Sequence, residues 1–177
     1  MTEWHFITGN SNKFNEAKQV FPSLVQKDLD LPEIQELDPR KVIAAKLEEA
    51  RKHYQDRLIV EDVSLSVEAL GGLPGTFIKW FLKALGPEGL AKVVANLESS
   101  KATAHIVVGY CNEGEVAFAE DYLEGSIVMP RGDSGFGWDP IFQPSDQNKT
   151  LAQIKNKGGG GIRNKIFAEL YEKLGGL

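Results

Sequence analysis

The sequence predicts an α/β fold with a long mixed β-sheet flanked by helices, and three observations support this prediction. Apolar strand-like segments alternate with helical patterns in the first half of the chain. Two strand-like segments joined by a short turn follow in the middle, which is typical of an antiparallel hairpin. The 177 residues are 42% hydrophobic and 25% charged, which is ordinary for a globular protein that buries a core.

The first elements follow from apolar runs and turn residues. Residues 4–8 predict a buried strand, and a polar turn over residues 9–12 opens a helix that ends near Phe21, before Pro22. Residues 24–27 are consistent with a second strand.

The pair Asp38-Pro39 predicts the start of the next helix, because aspartate caps a helix and proline suits its first position. The inward stripe of this helix is Ile43, Leu47, Ala50 and Tyr54. Leu58–Val60 predicts a short strand that ends at Glu61-Asp62, and residues 63–67 predict a separate strand.

The second half of the chain is predicted to contain three helices and the hairpin. The helices cover about 77–85, 87–97 and 163–174. Residues 102–111 and 115–124 form the hairpin, which turns at Glu113-Gly114.

Charge and cysteine content exclude several classes of protein. A formal net charge of −5 argues against a nucleic-acid polymer as partner, since such partners need a broad basic surface. No apolar run reaches the roughly 18 residues of a membrane span. The one cysteine, Cys111, excludes an intrachain disulfide, and with no signal peptide at the start we expect a cytoplasmic location.

The first candidate site is the polar turn Thr8, Gly9, Asn10, Ser11 and Asn12, followed by Lys13. Backbone N–H groups at a helix N-terminus attract anions, and a lysine in the first turn opposes the helix dipole unless an anion binds there. This favours a phosphate site. An ordinary capped turn with Lys13 in solvent is the alternative.

The second candidate is the acidic pair Glu61-Asp62, with Glu33 on a presumed loop. Acids at the carboxyl end of a buried strand lie where ligands of α/β proteins bind, and they could hold Mg²⁺ or take a proton from water. Because neighbouring side chains on a strand face opposite ways, we expect only one of the pair to point into a site. A strand-ending turn is the alternative.

The third candidate is the segment Gly135-Phe136-Gly137-Trp138-Asp139-Pro140. Its aromatic rings could stack on a base and its carboxylate could accept from base or sugar, although an aromatic turn that fills the core would look similar. A fourth set comprises the cations Lys46, Lys79, Lys157 and Arg163. Each could be solvated, but together with Lys13 they indicate a polyphosphate cradle.

These residues carry a resemblance to a known family. In order along the chain stand Thr8-Gly9-Asn10 with Lys13 and Glu16, Asp30-Leu31-Pro32-Glu33, Val60-Glu61-Asp62, Ala69 to Gly75, Ile78-Lys79-Trp80-Phe81, Pro130-Arg131-Gly132 and Gly135 to Pro140. In this order and spacing the sequence resembles the inosine triphosphate pyrophosphatase family, also called Ham1-like.

The resemblance implies one nucleoside triphosphate pyrophosphatase domain over residues 1–177, with two lobes and a nucleotide cleft between them. It implies Mg²⁺-dependent hydrolysis of deaminated purine triphosphates (ITP, dITP, XTP) to the monophosphate and pyrophosphate, by a homodimer. The expected partner is therefore a purine nucleoside triphosphate, with no nucleic-acid polymer and no membrane.

The resemblance also implies roles for individual residues. Glu33 and Asp62 would serve Mg²⁺, and Asp62 would also be the proton acceptor. The substrate-binding residues would be Thr8, Gly9, Asn10, Ser11, Asn12, Lys13, Lys46 and Lys79 for the phosphates, Phe136, Gly137, Trp138 and Asp139 for base and sugar, and in addition Glu61, Lys157 and Arg163.

Two departures from the family pattern stand out. Val63 replaces the usual Ser or Thr after Asp62. Between Lys157 and Arg163, the family's Asn, Ser and His are replaced by Gly158, Gly161 and Ile162. A lost hydrogen-bond partner for the base predicts weaker or relaxed base discrimination. The same departure leaves open a second interpretation, a catalytically weakened nucleotide-binding protein with a regulatory role; a protein–protein adaptor is a third.

Overall fold

The computed structural model describes residues 3–55, 57–155 and 161–174. The helices and strands within them are β1 Trp4–Ile7, α1 Ser11–Val20, β2 Leu24–Lys27, α2 Pro39–His53, β3 Leu58–Val67, β4 Pro74–Gly75, α3 Ile78–Ala95, β5 Lys101–Asn112, β6 Glu115–Ile127, β7 Phe142–Pro144, α4 Leu151–Lys155 and α5 Ile162–Leu174. Single 3₁₀ turns lie at Glu68–Leu70 and Asp139–Ile141. The predicted α/β class is confirmed.

The strands form one mixed seven-stranded sheet. Their order is β2-β1-β3-β5-β6-β7, with β4 paired to β3 beside this path. Strand β1 is parallel to both β2 and β3, whereas β4 and β7 run antiparallel to β3 and β6. The carboxyl ends of β1 and β2 therefore lie at the same edge of the sheet.

The chain divides into two compact units, each built from separate stretches of sequence. The first unit comprises Met1–Asp62, Ile106–Asp121 and Ile162–Leu177, and the second comprises Val63–His105 and Tyr122–Gly161. The single domain expected over residues 1–177 stays a prediction. No helix among the described residues is long and apolar enough to cross a membrane.

The first unit packs helices on both faces of its part of the sheet. On one face, the ring of Phe6 lies 5.1 Å from that of Phe167 in α5, and Trp4 lies 6.3 Å from Phe21 after α1. On the other face, Ile7 belongs to the buried cluster that includes Ile43 of α2. The alternation of side chains along β1 therefore separates α1 and α5 from α2.

The second unit has its own buried cluster, built around α3. Leu90, Ala91 and Val94 of this helix pack with Leu65 and Phe142, among other residues. Gly86 interrupts α3 with φ 68° and ψ 171°, directly before Pro87. The two helices predicted at 77–85 and 87–97 are thus the two parts of α3.

One prediction about the strands was wrong, and one short helix was not predicted. The segment from Leu58 to Val67 is one continuous strand instead of two strands separated by Glu61-Asp62. Both acidic side chains form ion pairs, so the ladder continues through them without leaving a charge unpaired. Helix α4 was missed because five residues are too few to show a periodic pattern. In contrast, the capped start of α2 at Asp38 and Pro39 is confirmed, with Asp38 Oδ1 accepting from Arg40 N.

Gly109 of β5 sets the distance between this strand and α2. A Cβ atom at this position would lie 2.5 Å from Cγ2 of Ile43, closer than side chains approach one another. We predict that Gly109→Ala lowers the free energy of unfolding by about 1–3 kcal/mol, because the core must shift to make room.

Urea denaturation measures this loss, and the matched comparison is the same change in an Ile43→Ala background. There the obstructing methyl group is absent, so Gly109→Ala should cost much less. Equal losses in both backgrounds would contradict the packing explanation.

Candidate active site

The predicted phosphate turn forms a capped helix start in the first unit. Asn10 is the N-cap of α1, and its Oδ1 accepts from the backbone N–H groups of Asn12 at 3.0 Å and Lys13 at 3.2 Å. Asn10 N in turn donates to Thr8 Oγ1 at 3.1 Å. Two of the amide groups that we expected to be open to an anion are therefore used by the cap. The side chain of Lys13 is the main cationic group that this turn presents.

Glu61 belongs to a cluster of four charged side chains linked by ion pairs, and we call it the Glu61 cluster: Lys13, Glu16, Glu61 and Arg163. Glu61 Oε1 lies 3.0 Å from Lys13 Nζ, while Arg163 reaches Glu61 through Nε at 2.5 Å and Nη2 at 3.1 Å. Arg163 also pairs with Glu16 through Nη1. The Glu61 side chain is fully buried, and cations contact both of its carboxylate oxygens.

The charged groups in this cluster shift one another's pKa values. Burial alone would raise the pKa of Glu61, but Arg163 and Lys13 outweigh it and lower that pKa to about 2. Burial likewise opposes the charge on Arg163, yet Glu61 and Glu16 raise its pKa above the ordinary value. Glu61 and Arg163 are therefore both ionised throughout the physiological range.

A second set of charged side chains, the Lys46 cluster, consists of Glu33, Lys46 and Asp62. The Nζ atom of Lys46 lies 3.1 Å from Asp62 Oδ1 and 3.3 Å from Glu33 Oε1. Lys46 is only 8% exposed. Burial opposes its charge, but Asp62 and Glu33 raise its pKa above the ordinary value for lysine.

The two clusters lie on opposite faces of β3. Glu61 pairs with cations from α1 and α5, whereas its neighbour Asp62 pairs with a cation from α2. The predicted alternation of the two acids is thus confirmed, but each side chain lies in an ionic cluster of its own.

The Lys46 cluster offers a suitable pair of ligands for a magnesium ion. Two carboxylates lie within hydrogen-bond distance of one buried ammonium group, so a cation near that position can reach both. Across the described part of the chain, no group of three or more His, Cys, Asp or Glu side chains could hold a metal. A carboxylate pair suits Mg²⁺, which usually takes one or two carboxylates and completes its shell with water and substrate phosphate.

The second unit contains the predicted base-binding segment, where Asp139 organises the turn. Its Oδ2 accepts from Phe136 N and from Lys155 Nζ, both at 2.8 Å. The Lys155 ammonium lies 4.9 Å from the centre of the Phe136 ring. Gly135 has φ +79°, and a Cβ there would lie 2.3 Å from Asp139 Oδ2, so this turn requires glycine.

Trp138 of this segment and the predicted phosphate-binding lysines have different surroundings. The ring of Trp138 packs edge-on against buried Phe142, with centroids 5.2 Å apart, which agrees with the core-filling alternative for this side chain. Lys79 lies beside Trp80, its Nζ 5.7 Å from the ring centre. Lys157 lies outside the described residues.

Two charged residues that pair with predicted site residues were not selected from the sequence. Glu16 was quoted only as part of a motif, and its spacing from Lys13 on one helix face was the signal available. Lys155 stands two residues before the lysine chosen by motif spacing, and nothing local marks it as the partner of Asp139.

Comparisons with known proteins give a consistent result. The Ham1 family profile matches residues 4–170. The inosine triphosphate pyrophosphatase of Mycosarcoma maydis is 40% identical over 183 residues, covering 97% of this chain and 94% of that protein. The inosine triphosphate pyrophosphatase of Puccinia graminis f. sp. tritici is also 40% identical, over 181 residues and 94% of each chain.

Solved structures agree with these sequence matches. The Ham1 protein of Staphylococcus aureus superposes with a TM-score of 0.74 at 26% identity, covering 99% of both chains. A HAM1 protein from Coxiella burnetii has the same fold, with a TM-score of 0.77 at 22% identity over 98% of both chains.

Removing the charge of Glu61 should destabilise the protein strongly. We predict that Glu61→Gln lowers the free energy of unfolding at neutral pH by about 3–5 kcal/mol, because it leaves buried Arg163 without its main counterion. Chemical denaturation measures the loss. The matched control is Glu49→Gln, which removes a partly exposed acid of α2 paired with the exposed Lys52 and should leave stability nearly unchanged.

The wild type and Glu61→Gln should also differ in how their stability depends on pH. The pKa of Glu61 is about 2 in the folded protein and near its ordinary 4.5 in the unfolded chain, so ionised Glu61 gives its full stabilisation above pH 4.5. The stability difference between the wild type and Glu61→Gln should therefore shrink as pH falls from 4.5 toward 2. A difference that stays constant over this range would contradict the ionic role.

Proposed function

The chain belongs to the Ham1 family, and from that premise we propose that it hydrolyses non-canonical purine nucleoside triphosphates to the monophosphate and pyrophosphate. Substrates of this class are ITP, dITP and XTP, whose removal would cleanse the nucleotide pool. The observation that carries the proposal is the Lys46 cluster, where two carboxylates and a buried lysine meet. These are the residue types that a metal-assisted attack on a phosphoanhydride needs.

We propose Glu33 and Asp62 as the protein ligands of Mg²⁺. When bound, Mg²⁺ would neutralise charge on the phosphates and help stabilise the charge that develops during hydrolysis. Asp62 is the less exposed of the two carboxylates, with 16% of its side chain accessible against 38% for Glu33. Asp62 would orient the attacking water and accept its proton, since an ionised carboxylate within hydrogen-bond reach of water can act as a general base.

The phosphates would be held by lysines of the first unit. Lys13 has 21% of its side chain exposed while its ammonium stays fixed by Glu61, so it can meet an anion without first being ordered. Lys46 would donate to a phosphate oxygen as well. Thr8, Gly9, Asn10, Ser11 and Asn12 would line the phosphates through side chains and remaining N–H groups. Arg163 and Glu61 would support this arrangement, and the phosphate roles of Lys79 and Lys157 follow from the resemblance alone.

The second unit carries the groups that we propose for the base and sugar. Phe136 offers a ring face, Asp139 an acceptor and Lys155 of α4 a donor, and the Asp139–Lys155 ion pair joins the turn to this helix. Gly137 has φ +63°, a left-handed backbone conformation that glycine adopts readily in this turn. Trp138 would support the turn through its contact with buried Phe142. A donor next to an acceptor suits a base edge with a carbonyl beside an N–H group, as in 6-oxopurines.

A homodimer and a cytoplasmic location complete the proposal. The homodimer follows from the family resemblance, and the location follows from the cysteine usage. The oligomeric state can be measured by analytical ultracentrifugation. A regulatory nucleotide-binding protein with weakened catalysis is the second candidate, which the glycine-rich departure near residues 157–163 motivates.

Pyrophosphate release separates these candidates. We predict Mg²⁺-dependent release from ITP and XTP in a panel that also contains GTP, ATP and dUTP. Asp62→Asn should reduce kcat by about 100-fold or more, because the water loses its base and the metal loses a charged ligand. The matched control is Asp121→Asn, which changes a partly exposed carboxylate of β6 paired with Lys165 and should keep wild-type activity. Binding of ITP without pyrophosphate release by the wild type would favour the regulatory candidate.

The departures near the last helix should weaken the choice of base. We predict that kcat/KM for ITP exceeds that for GTP by less than about 100-fold. The missing hydrogen-bond partner removes ~1–3 kcal/mol from the free-energy difference that distinguishes the two bases. Steady-state kinetics with both nucleotides measure this ratio. A larger ratio would show that other residues supply the missing contact.

A further inference from the structure

Lys46 occupies the position between the two carboxylates that we propose as metal ligands. Its ammonium lies 3.1 Å from Asp62 Oδ1 and 3.3 Å from Glu33 Oε1, and only 9% of its side chain is exposed. Both carboxylates share this one ammonium in the protein without substrate. The inference drawn from it rests on the proposed function, because that function supplies the metal.

An ammonium group and a divalent cation compete for the two oxygens that Lys46 contacts, Asp62 Oδ1 and Glu33 Oε1. Mg²⁺ requires oxygen ligands at about 2.0–2.1 Å in near-octahedral geometry, and a lysine donates from about 2.7–2.9 Å. Two cations held by the same pair of oxygens would also repel each other in a poorly solvated position. Lys46 therefore competes with the metal for Glu33 and Asp62.

A phosphate group resolves this competition. If the metal enters, the buried Lys46 ammonium loses both of its counterions, and burial makes an unpaired charge costly. An incoming phosphate oxygen gives the ammonium a new partner, and the flexible side chain of lysine can turn toward it.

We infer that Lys46 fills the carboxylate pair in the free protein and gives it up to the divalent cation only when a phosphate takes over its ammonium. Metal and phosphate then bind cooperatively, with Lys46 as the residue that couples them, and by linkage each strengthens the other to the same degree. In the metal-free protein the Lys46 ammonium occupies the carboxylate pair, and a metal ion alone binds weakly.

The test compares the metal affinity of substrate-free proteins. Mn²⁺ binding, followed by electron paramagnetic resonance, is measured for the wild type, Lys46→Met and Lys41→Met. Lys46→Met should bind Mn²⁺ at least about tenfold more tightly than the wild type, because the internal competitor is gone. Lys41→Met is the matched control on the same helix; it removes an exposed lysine paired with Glu36 and should stay within about twofold of the wild type.

A second comparison tests the coupling itself, with inorganic sulfate as a phosphate-like anion. Sulfate should tighten Mn²⁺ binding to the wild type several-fold relative to sodium chloride at equal ionic strength, and it should have no such effect on Lys46→Met. Thermal unfolding with and without Mn²⁺ checks that Lys46→Met folds. If it does not, Lys46→Gln replaces it, since its amide can still donate to one carboxylate.

The outcomes separate this inference from the proposed function. Equal or weaker Mn²⁺ binding by Lys46→Met, with binding still abolished by Asp62→Asn, overturns the inference and leaves the metal site intact. Mn²⁺ binding that is insensitive to Asp62→Asn overturns both. Tighter binding by Lys46→Met together with no pyrophosphate release from any nucleotide supports the coupling and refutes the hydrolytic function.

Discussion

The buried carboxylate of Glu61 is the constraint on which the first unit depends. It lies in the interior of β3 with no exposed side-chain surface, and a buried charge of this kind is tolerated only if cations meet it. Lys13 and Arg163 supply them from the starts of α1 and α5. The positions of two helix N-termini therefore follow from one acid, and with them the turn that presents Lys13.

The pleat of β3 gives the neighbouring acid a different task. Because successive side chains alternate, Asp62 points away from the Glu61 cluster and meets Lys46 of α2. One strand thus supplies a fixed ionic support on one face and, on the other, the carboxylate that we propose for the chemistry. The sequence Glu61-Asp62 needs no loop to separate these tasks, which explains why the strand continues to Val67.

Local signals predicted the local features, and the long-range pairings lay beyond them. The cap at Asp38, the first strand and the turn before α1 are written in neighbouring residues, so they could be read directly. Arg163, one of the two cationic partners of Glu61, stands 102 positions away, and no periodicity connects the two residues. Lys155 was missed for the same reason, and the continuity of β3 was missed because two adjacent charges look like a strand end until their partners are known.

The three acidic groups differ in how completely their partners hold them, and this difference indicates which can exchange partners. Glu61 has cations on both oxygens and no exposed side chain, so any ligand would have to break a buried network to reach it. Asp139 is held by one lysine and one backbone N–H on the same oxygen. Glu33 and Asp62 share the Lys46 ammonium and keep accessible surface. Since a ligand can reach a partly accessible carboxylate without first breaking a buried network, the Lys46 cluster is the most suitable place for a ligand to enter, and Glu61 is best understood as the support that keeps Lys13 in position.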